Sequence, residues 1–265
     1  MSSPPANSTP CNNAIGNPDV TRLDFGKLGL PEYRNKLAIV IDNLFSAQDC
    51  QRFIRIAESE HTWSQATHSG TYIGFGKSNI SKNFRNSSRI ILDSSALASE
   101  LFVRLKPYLS SIEDLPSSPL HSQLATGATY LTDPPAKMIG FNKRLRFLKY
   151  SPGQFFRKHC DGNYHDPESN CISYYTLQLY LNDISPEQGG STRFWGFPHV
   201  DGEDAPYVDV QPKLGRALVF EQSGMLHSGQ DVLGNAVKYT IRAELMYEAI
   251  TEGVEVVGDD DVAFE

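Results

Sequence analysis

Arg144-Leu145-Arg146-Phe147-Leu148-Lys149-Tyr150, then Ser151-Pro152-Gly153, then His159-Cys160-Asp161: this stretch decides how the chain folds. The first seven residues read as a strand and Ser-Pro-Gly as a turn. In an extended H-x-D step, residues i and i+2 project to the same side, so His159 and Asp161 can reach one metal ion. By the same alternation Cys160 points away from it. His227 lies 68 residues beyond His159, enough chain for several strands and turns to close a small barrel. Two imidazoles and one carboxylate can occupy one face of an octahedral ferrous ion and leave three positions open. The plainer alternative for His159 is a hydrogen-bonded histidine near a turn.

A second H-x-D, His199-Val200-Asp201, stands among Gly196, Pro198, Gly202 and Pro206, only 28 residues before His227. That composition reads as an irregular surface loop with little room for intervening strands, so the first pair is preferred.

The 265 residues carry 24 basic and 31 acidic side chains, a net charge of −7. No basic stripe is present, which counts against a nucleic-acid partner. Cys11, Cys50, Cys160 and Cys171 lack a metal-finger spacing and are read as reduced thiols. The chain shows neither a secretory signal pattern nor a run of 18 apolar residues, so no membrane span is expected and the cytoplasm is the expected compartment. Nothing in the sequence sets an oligomeric state.

Residues 1–20, rich in Ser, Pro and Asn, are expected to be disordered. A single domain is expected over 21–250, with helical support at about 46–110 and a barrel at about 137–250, followed by an acidic tail over 251–265. Leu37 to Ile41 reads as a buried strand. Ser46 and Asp49 form an approximate capping box ahead of a helix whose apolar face holds Cys50, Phe53, Ile54 and Ala57. A second helix starts at Ser94 or Ser95, with the stripe Leu97, Leu101 and Leu105, and Pro107 limits it. Residues 63–87 read as a long loop or irregular hairpin, and 115–137 similarly. Beyond Phe141 the pattern is β: Tyr174 to Asn182, Thr192 to Trp195, Ala217 to Phe220 and Val237 to Tyr247 read as strands.

In the last strand, alternation puts Lys238, Thr240, Arg242 and Glu244 on one face and Tyr239, Ile241, Ala243 and Leu245 on the other. In the strand after the H-x-D pair, Thr176, Gln178 and Tyr180 share a face opposite Leu177, Leu179 and Leu181. Arg144, Arg146, Leu148 and Tyr150 share a third. The polar faces either meet solvent or line a barrel mouth that receives a carboxylate; pattern alone does not choose. A Tyr180 hydroxyl inside a barrel needs a hydrogen-bond partner, which a ligand carboxylate would supply.

Tyr150-Ser151-Pro152-Gly153-Gln154-Phe155-Phe156-Arg157-Lys158-His159-Cys160-Asp161 resembles the Y-x-x-G-x-x-F-x-x-H-x-D entry of the iron(II)/2-oxoglutarate dioxygenases of the prolyl-4-hydroxylase type. Leu179 to Asp183, Gly189 to Phe194, Leu214 to Phe220, His227 to Val232 and Lys238 to Arg242 resemble that family's later motifs in order. Ile41 to Phe45 and its helix resemble the family's entry to the fold. The resemblance implies a double-stranded β-helix (jelly-roll) barrel with flanking helices. It implies that His159, Asp161 and His227 bind Fe(II), and that Lys238 pairs with the distal carboxylate of 2-oxoglutarate in a pocket lined by Tyr150 and Tyr180 with Thr240 nearby. Arg242 is the alternative carboxylate partner, because Lys238 stands a residue or two later than in close relatives. The implied reaction uses O2, with ascorbate as a further candidate cofactor. It oxidises an unactivated C–H bond of an amino acid, a peptidyl residue or a small natural product, releasing succinate and CO2. The alternative is a non-catalytic metal-binding barrel acting as a binding or scaffold protein. For the substrate side, Arg146 and Gln178 are the candidates. Arg146 is expected to meet a substrate carboxylate, unless it or Arg242 pairs with a nearby acid such as Glu244.

Overall fold

The computed structural model describes residues 16–66, 83–115, 135–197 and 204–250. Two antiparallel sheets make the barrel. Across the described residues the larger sheet runs Asp19–Arg22, Ala38–Asp42, Ala217–Glu221, Ile172–Tyr180, Lys238–Ala249, Arg144–Tyr150, Ser88–Asp93 and Ser64–Gln65 in spatial order, with Ala136–Phe141 and Asp114–Leu115 added along the far end of Lys238–Ala249. The smaller sheet runs Tyr207–Val210, Thr192–Trp195, His227–Gly229, Phe155–His159 and Arg85–Asn86. This is the jelly-roll arrangement expected of the chain.

The polar and apolar faces predicted for the central strands are the faces observed. Leu177, Leu179, Ile241, Ala243, Leu245, Leu145, Phe147, Ile90 and Leu92 are buried in one core cluster. The helices Ala47–Glu60 and Ser95–Leu105 cover that face, contributing Cys50, Phe53, Ala57, Leu97, Leu101 and Leu105. The opposite face looks toward the smaller sheet. There Tyr180, Leu218 and Phe220 pack with Phe194 and Phe25 at one end, and Leu148 and Tyr150 pack with Ile184, Val232 and Ala236 at the other. The cavity lies between these two apolar plugs.

Register ties the polar face together. Lys238 stands opposite Tyr150, Thr240 opposite both Leu148 and Tyr180, and Arg242 opposite both Arg146 and Gln178. Directly opposed residues in an antiparallel ladder project to the same side, so three strands present one continuous polar wall. Gly190 closes that wall from the smaller sheet. Its φ of +70° is a conformation glycine adopts without a Cβ penalty, and the turn aims its carbonyl at Lys238.

One expectation is adjusted: residues 19 and 20 belong to the strand Asp19–Arg22, which pairs with the open edge of Ala38–Asp42. The second helix ends at Leu105, two residues before Pro107, which sits in the first turn of the 3-10 helix Lys106–Tyr108, where a missing N–H costs nothing. The segments 1–15 and 251–265, the central parts of both long loops (67–82 and 116–134), and His199-Val200-Asp201 lie outside the described residues.

The capping box forms as the sequence indicates: Ser46 Oγ accepts from the Asp49 N–H at 3.0 Å, and Asp49 Oδ2 accepts from the Ser46 N–H at 3.1 Å. Ser46→Ala is expected to cost about 1 kcal/mol of folding stability, measured by chemical denaturation. An unchanged midpoint would show that the helix end is held by packing alone.

Candidate metal centre and its cavity

His159 is the last residue of Phe155–His159, and its register partner is His227 at the start of His227–Gly229. The ladder therefore puts the two imidazoles side by side, with ring centroids 4.3 Å apart. Asp161 follows just past the strand end. His159 Nε2 lies 3.7 Å from Asp161 Oδ1, and His227 Nε2 lies 3.9 Å from Asp161 Oδ2. One nitrogen or oxygen from each residue falls within 4.8 Å of the others, a group that could hold a metal ion.

The surroundings prepare these groups as ligands. His159 Nδ1 donates to the Arg157 carbonyl at 2.7 Å, and His227 Nδ1 donates to the Met225 carbonyl at 2.9 Å. Both bonds assign the proton to Nδ1 and leave the Nε2 lone pair facing Asp161. Burial, reinforced by His227, pushes the His159 imidazole down to about 3, and burial lowers His227 as well, so both rings stay neutral. Burial alone would raise the Asp161 carboxyl. The charge of Arg242 and the Thr176 hydrogen bond overcome it and hold Asp161 ionised well below the usual carboxylate range. Thr176 Oγ1 donates to Asp161 Oδ2 at 2.7 Å, and Arg242 Nη2 lies 3.0 Å from Oδ1. The Phe156 ring stacks on His159 at 3.6 Å and shields it from water.

A cavity of about 240 Å³ opens beside this cluster, lined among others by Tyr150, Gln178, Thr192, Arg146, Lys238 and Arg242. Lys238 is 2 % exposed. Its ammonium donates to the Gly190 carbonyl at 2.7 Å and lies 4.6 Å above the Tyr150 ring. Among the described residues no carboxylate pairs with it, and burial pushes it down to about 7. Thr240, on the same face, is fully buried, and its hydroxyl has no partner among the described residues. Thr240 lies behind the cavity lining, whereas the buried Lys238 cation stands in it and suits a carboxylate.

The structure places the other sequence candidates differently. Arg146 lines the cavity as expected, but it already has an anionic partner: it bonds Glu244, which also accepts from Arg242 Nη1 at 2.8 Å. Of the two readings open for Arg146, pairing with a nearby acid is the one observed, because Glu244 shares the wall through the register of Arg146 with Arg242. Arg242 is committed to Asp161 and Glu244, which leaves Lys238 as the cation available to a ligand. Tyr180 does not line the cavity; its hydroxyl donates to Thr192 Oγ1 at 2.7 Å, and Thr192 forms the lining in its place. Cys160 does line the cavity, because the ladder ends at His159 and strand alternation no longer governs it. Gln178 lines the cavity as expected. Thr176 was legible on the polar face of its strand, two residues before Gln178, yet its role on Asp161 was missed. Arg85 and Arg89, also in the lining, gave no signal in the sequence.

Residues 145–243 match the model of the 2OG-Fe(II) oxygenase superfamily. The matched stretch contains His159, Asp161, His227 and Lys238. A prolyl hydroxylase from Trichoplax adhaerens, solved in complex with a hypoxia inducible factor oxygen degradation domain peptide fragment, matches with a TM-score of 0.50 at 14% identity, over 83% of this chain and 88% of that one. A Pseudomonas putida prolyl-4-hydroxylase matches at 15% identity over 81% of this chain and 95% of that one, with a TM-score of 0.49. At 14% identity the first likeness shows the shared fold. No curated protein matches the chain. No helix among the described residues is long and apolar enough to cross a membrane.

If the three residues act as one ligand set, the wild type is expected to bind one Fe(II), or Co(II) as a stable probe, per chain. His159→Ala and His227→Ala should each abolish measurable binding in equilibrium dialysis. Thr176→Val should weaken it by about tenfold through the loss of the Asp161 hydrogen bond. Unchanged metal binding by both histidine variants would remove this site from consideration.

Proposed function

We propose that this chain is an Fe(II)- and 2-oxoglutarate-dependent dioxygenase in which His159, Asp161 and His227 hold the iron, and Lys238, Tyr150 and Thr240 hold 2-oxoglutarate. The observation that carries the assignment is the buried Lys238 ammonium, which has no acid partner among the described residues yet stands in the wall of the same cavity as the three-ligand cluster. When bound, the iron and 2-oxoglutarate supply the oxidising chemistry: with O2 they yield succinate and CO2 and hydroxylate an unactivated C–H bond.

The residues have separable tasks. Lys238 neutralises the distal carboxylate, with Thr240 as hydroxyl donor and Tyr150 as the apolar platform beneath. Thr176 and Arg242 fix the Asp161 carboxylate and keep it ionised. Phe156 and Phe220 flank the imidazoles and exclude water. Gln178 faces the primary substrate, an amino acid, a peptidyl residue or a small natural product. The intact ligand set and the available cation disfavour the non-catalytic scaffold. A cytoplasmic setting is the companion proposal, supported by the free thiols of Cys50, Cys160 and Cys171.

Lys238→Ala is expected to weaken 2-oxoglutarate binding by about 3–5 kcal/mol, a hundredfold or more in Kd. Calorimetry on the Mn(II)-loaded protein reads this directly. A crippled Arg242→Ala beside an unaffected Lys238→Ala would move the anchor to Arg242.

The same residue sets a pH dependence. With its value at about 7 before the anion arrives, Lys238 is charged below pH 7 and increasingly neutral above it. A carboxylate favours the charged form, so binding above pH 7 takes up a proton. The Kd for 2-oxoglutarate should therefore rise between pH 7 and 9, by at most about tenfold per pH unit. The slope should vanish in Lys238→Ala. A flat profile in the wild type would contradict the burial argument.

A further inference from the structure

The cavity holds more positive charge than the proposed co-substrate can use. Five lining residues are cationic: Arg85, Arg89, Arg146, Lys238 and Arg242. Asp161 and, behind the lining, Glu244 answer Arg242 and Arg146. Lys238 is assigned to 2-oxoglutarate, whose two charges an Fe(II) ion would balance. Arg85 and Arg89 remain, in a protein whose net charge is −7.

Neither guanidinium pairs with a carboxylate among the described residues. Arg85 bonds only a neutral partner, Ser87 Oγ at 3.3 Å, and lies 4.4 Å over the Phe156 ring. Arg89 stands opposite Leu148, one strand beyond the wall that carries Lys238. Burial lowers its guanidinium, as do the like charges of Arg85, Arg146 and Arg144. The chain passes from the smaller sheet to the larger at buried Ser87, so the two arginines flank a crossing at the cavity edge. The preceding segment 67–82 contains two lysines and no Asp or Glu, so it brings no acid to neutralise them.

Position argues for a substrate contact. Phe156 lies between Arg85 and His159, stacked on the imidazole at 3.6 Å. A group held by Arg85 is therefore one aromatic ring away from the metal cluster. Guanidinium forks match oxyanions in geometry as well as charge.

We propose that Arg85 and Arg89 form a binding site for an oxyanion, a carboxylate or a phosphate, carried by the primary substrate. The inference rests on the 2-oxoglutarate oxygenase reading of the same cavity. It makes the substrate an anion whose reacting carbon is held toward the cluster by its charged end.

The test uses the full chain loaded with Mn(II) and 2-oxoglutarate, titrated calorimetrically with inorganic phosphate and with a panel of N-acyl amino acids, each beside its primary amide. The phosphate arm separates a phosphate site from a carboxylate site. Saturable binding of at least one anion is expected, with its amide weaker by about tenfold or more. Arg89→Gln should weaken the anion by a similar factor, and Arg89→Lys by less, because the charge survives and the fork does not. The Arg89 side chain has no hydrogen-bond partner among the described residues to orphan, so the variant should fold; if its melting curve shows otherwise, Arg85→Gln takes its place. Equal binding of acids and amides, wild-type affinity in the variant, or no saturable anion binding overturns the proposal. Failure of the wild type to bind 2-oxoglutarate in the presence of Mn(II) would instead sink the parent reading before any other anion is added.

Discussion

Everything in this molecule depends on the two-residue period of Lys238–Ala249. The strand pairs with Ile172–Tyr180 on one side and with Arg144–Tyr150 and Ala136–Phe141 on the other. A slip of one residue would exchange Lys238, Thr240, Arg242 and Glu244 with Tyr239, Ile241, Ala243 and Leu245. Three charged groups would then enter an apolar core under two helices, at several kcal/mol each. The pattern that buries the core is the pattern that assembles the cavity wall, so fold and site share one origin.

The wall holds its charges by sharing them. Arg242 bridges Asp161 and Glu244, and Glu244 also receives Arg146. Removing one member of such a buried group strands the others, which is costlier than the pair is stabilising. The arrangement also explains why Asp161 stays ionised when fully buried between two neutral imidazoles. Arg242 acts on the cluster electrostatically, while Lys238 has no acid partner among the described residues. Two cations four residues apart on one strand therefore do different work because of what stands opposite them.

Much of this was legible in the sequence, and the failures have a common cause. Alternation predicted which face of three strands was polar, and capping chemistry predicted both helix starts, because each signal lies within a few residues. The H-x-D pair and His227 were found by type and spacing. The short strands that carry them, Phe155–His159 and His227–Gly229, have too few residues to show a period. Cross-strand partners were the main loss. Thr192 as the partner of Tyr180 and the meeting of Arg85 and Arg89 with the cavity are set by register between segments distant in sequence. The misreading of Cys160 came from extending a strand rule past the strand's last residue.

The pairing of His159 with His227 also bears on how the chain reaches its native state. These residues meet only after strands distant in sequence have found their register, and contacts of that separation form slowly because loop closure precedes any reward. The ligand set is therefore a product of barrel closure and has no counterpart in a partly folded chain. A metal ion arriving before closure would find only the local His159–Asp161 pair, without His227 to complete the set. Once the barrel has closed, an ion held by His159, Asp161 and His227 would tie two neighbouring strands of the smaller sheet together and act as a late lock on a finished structure.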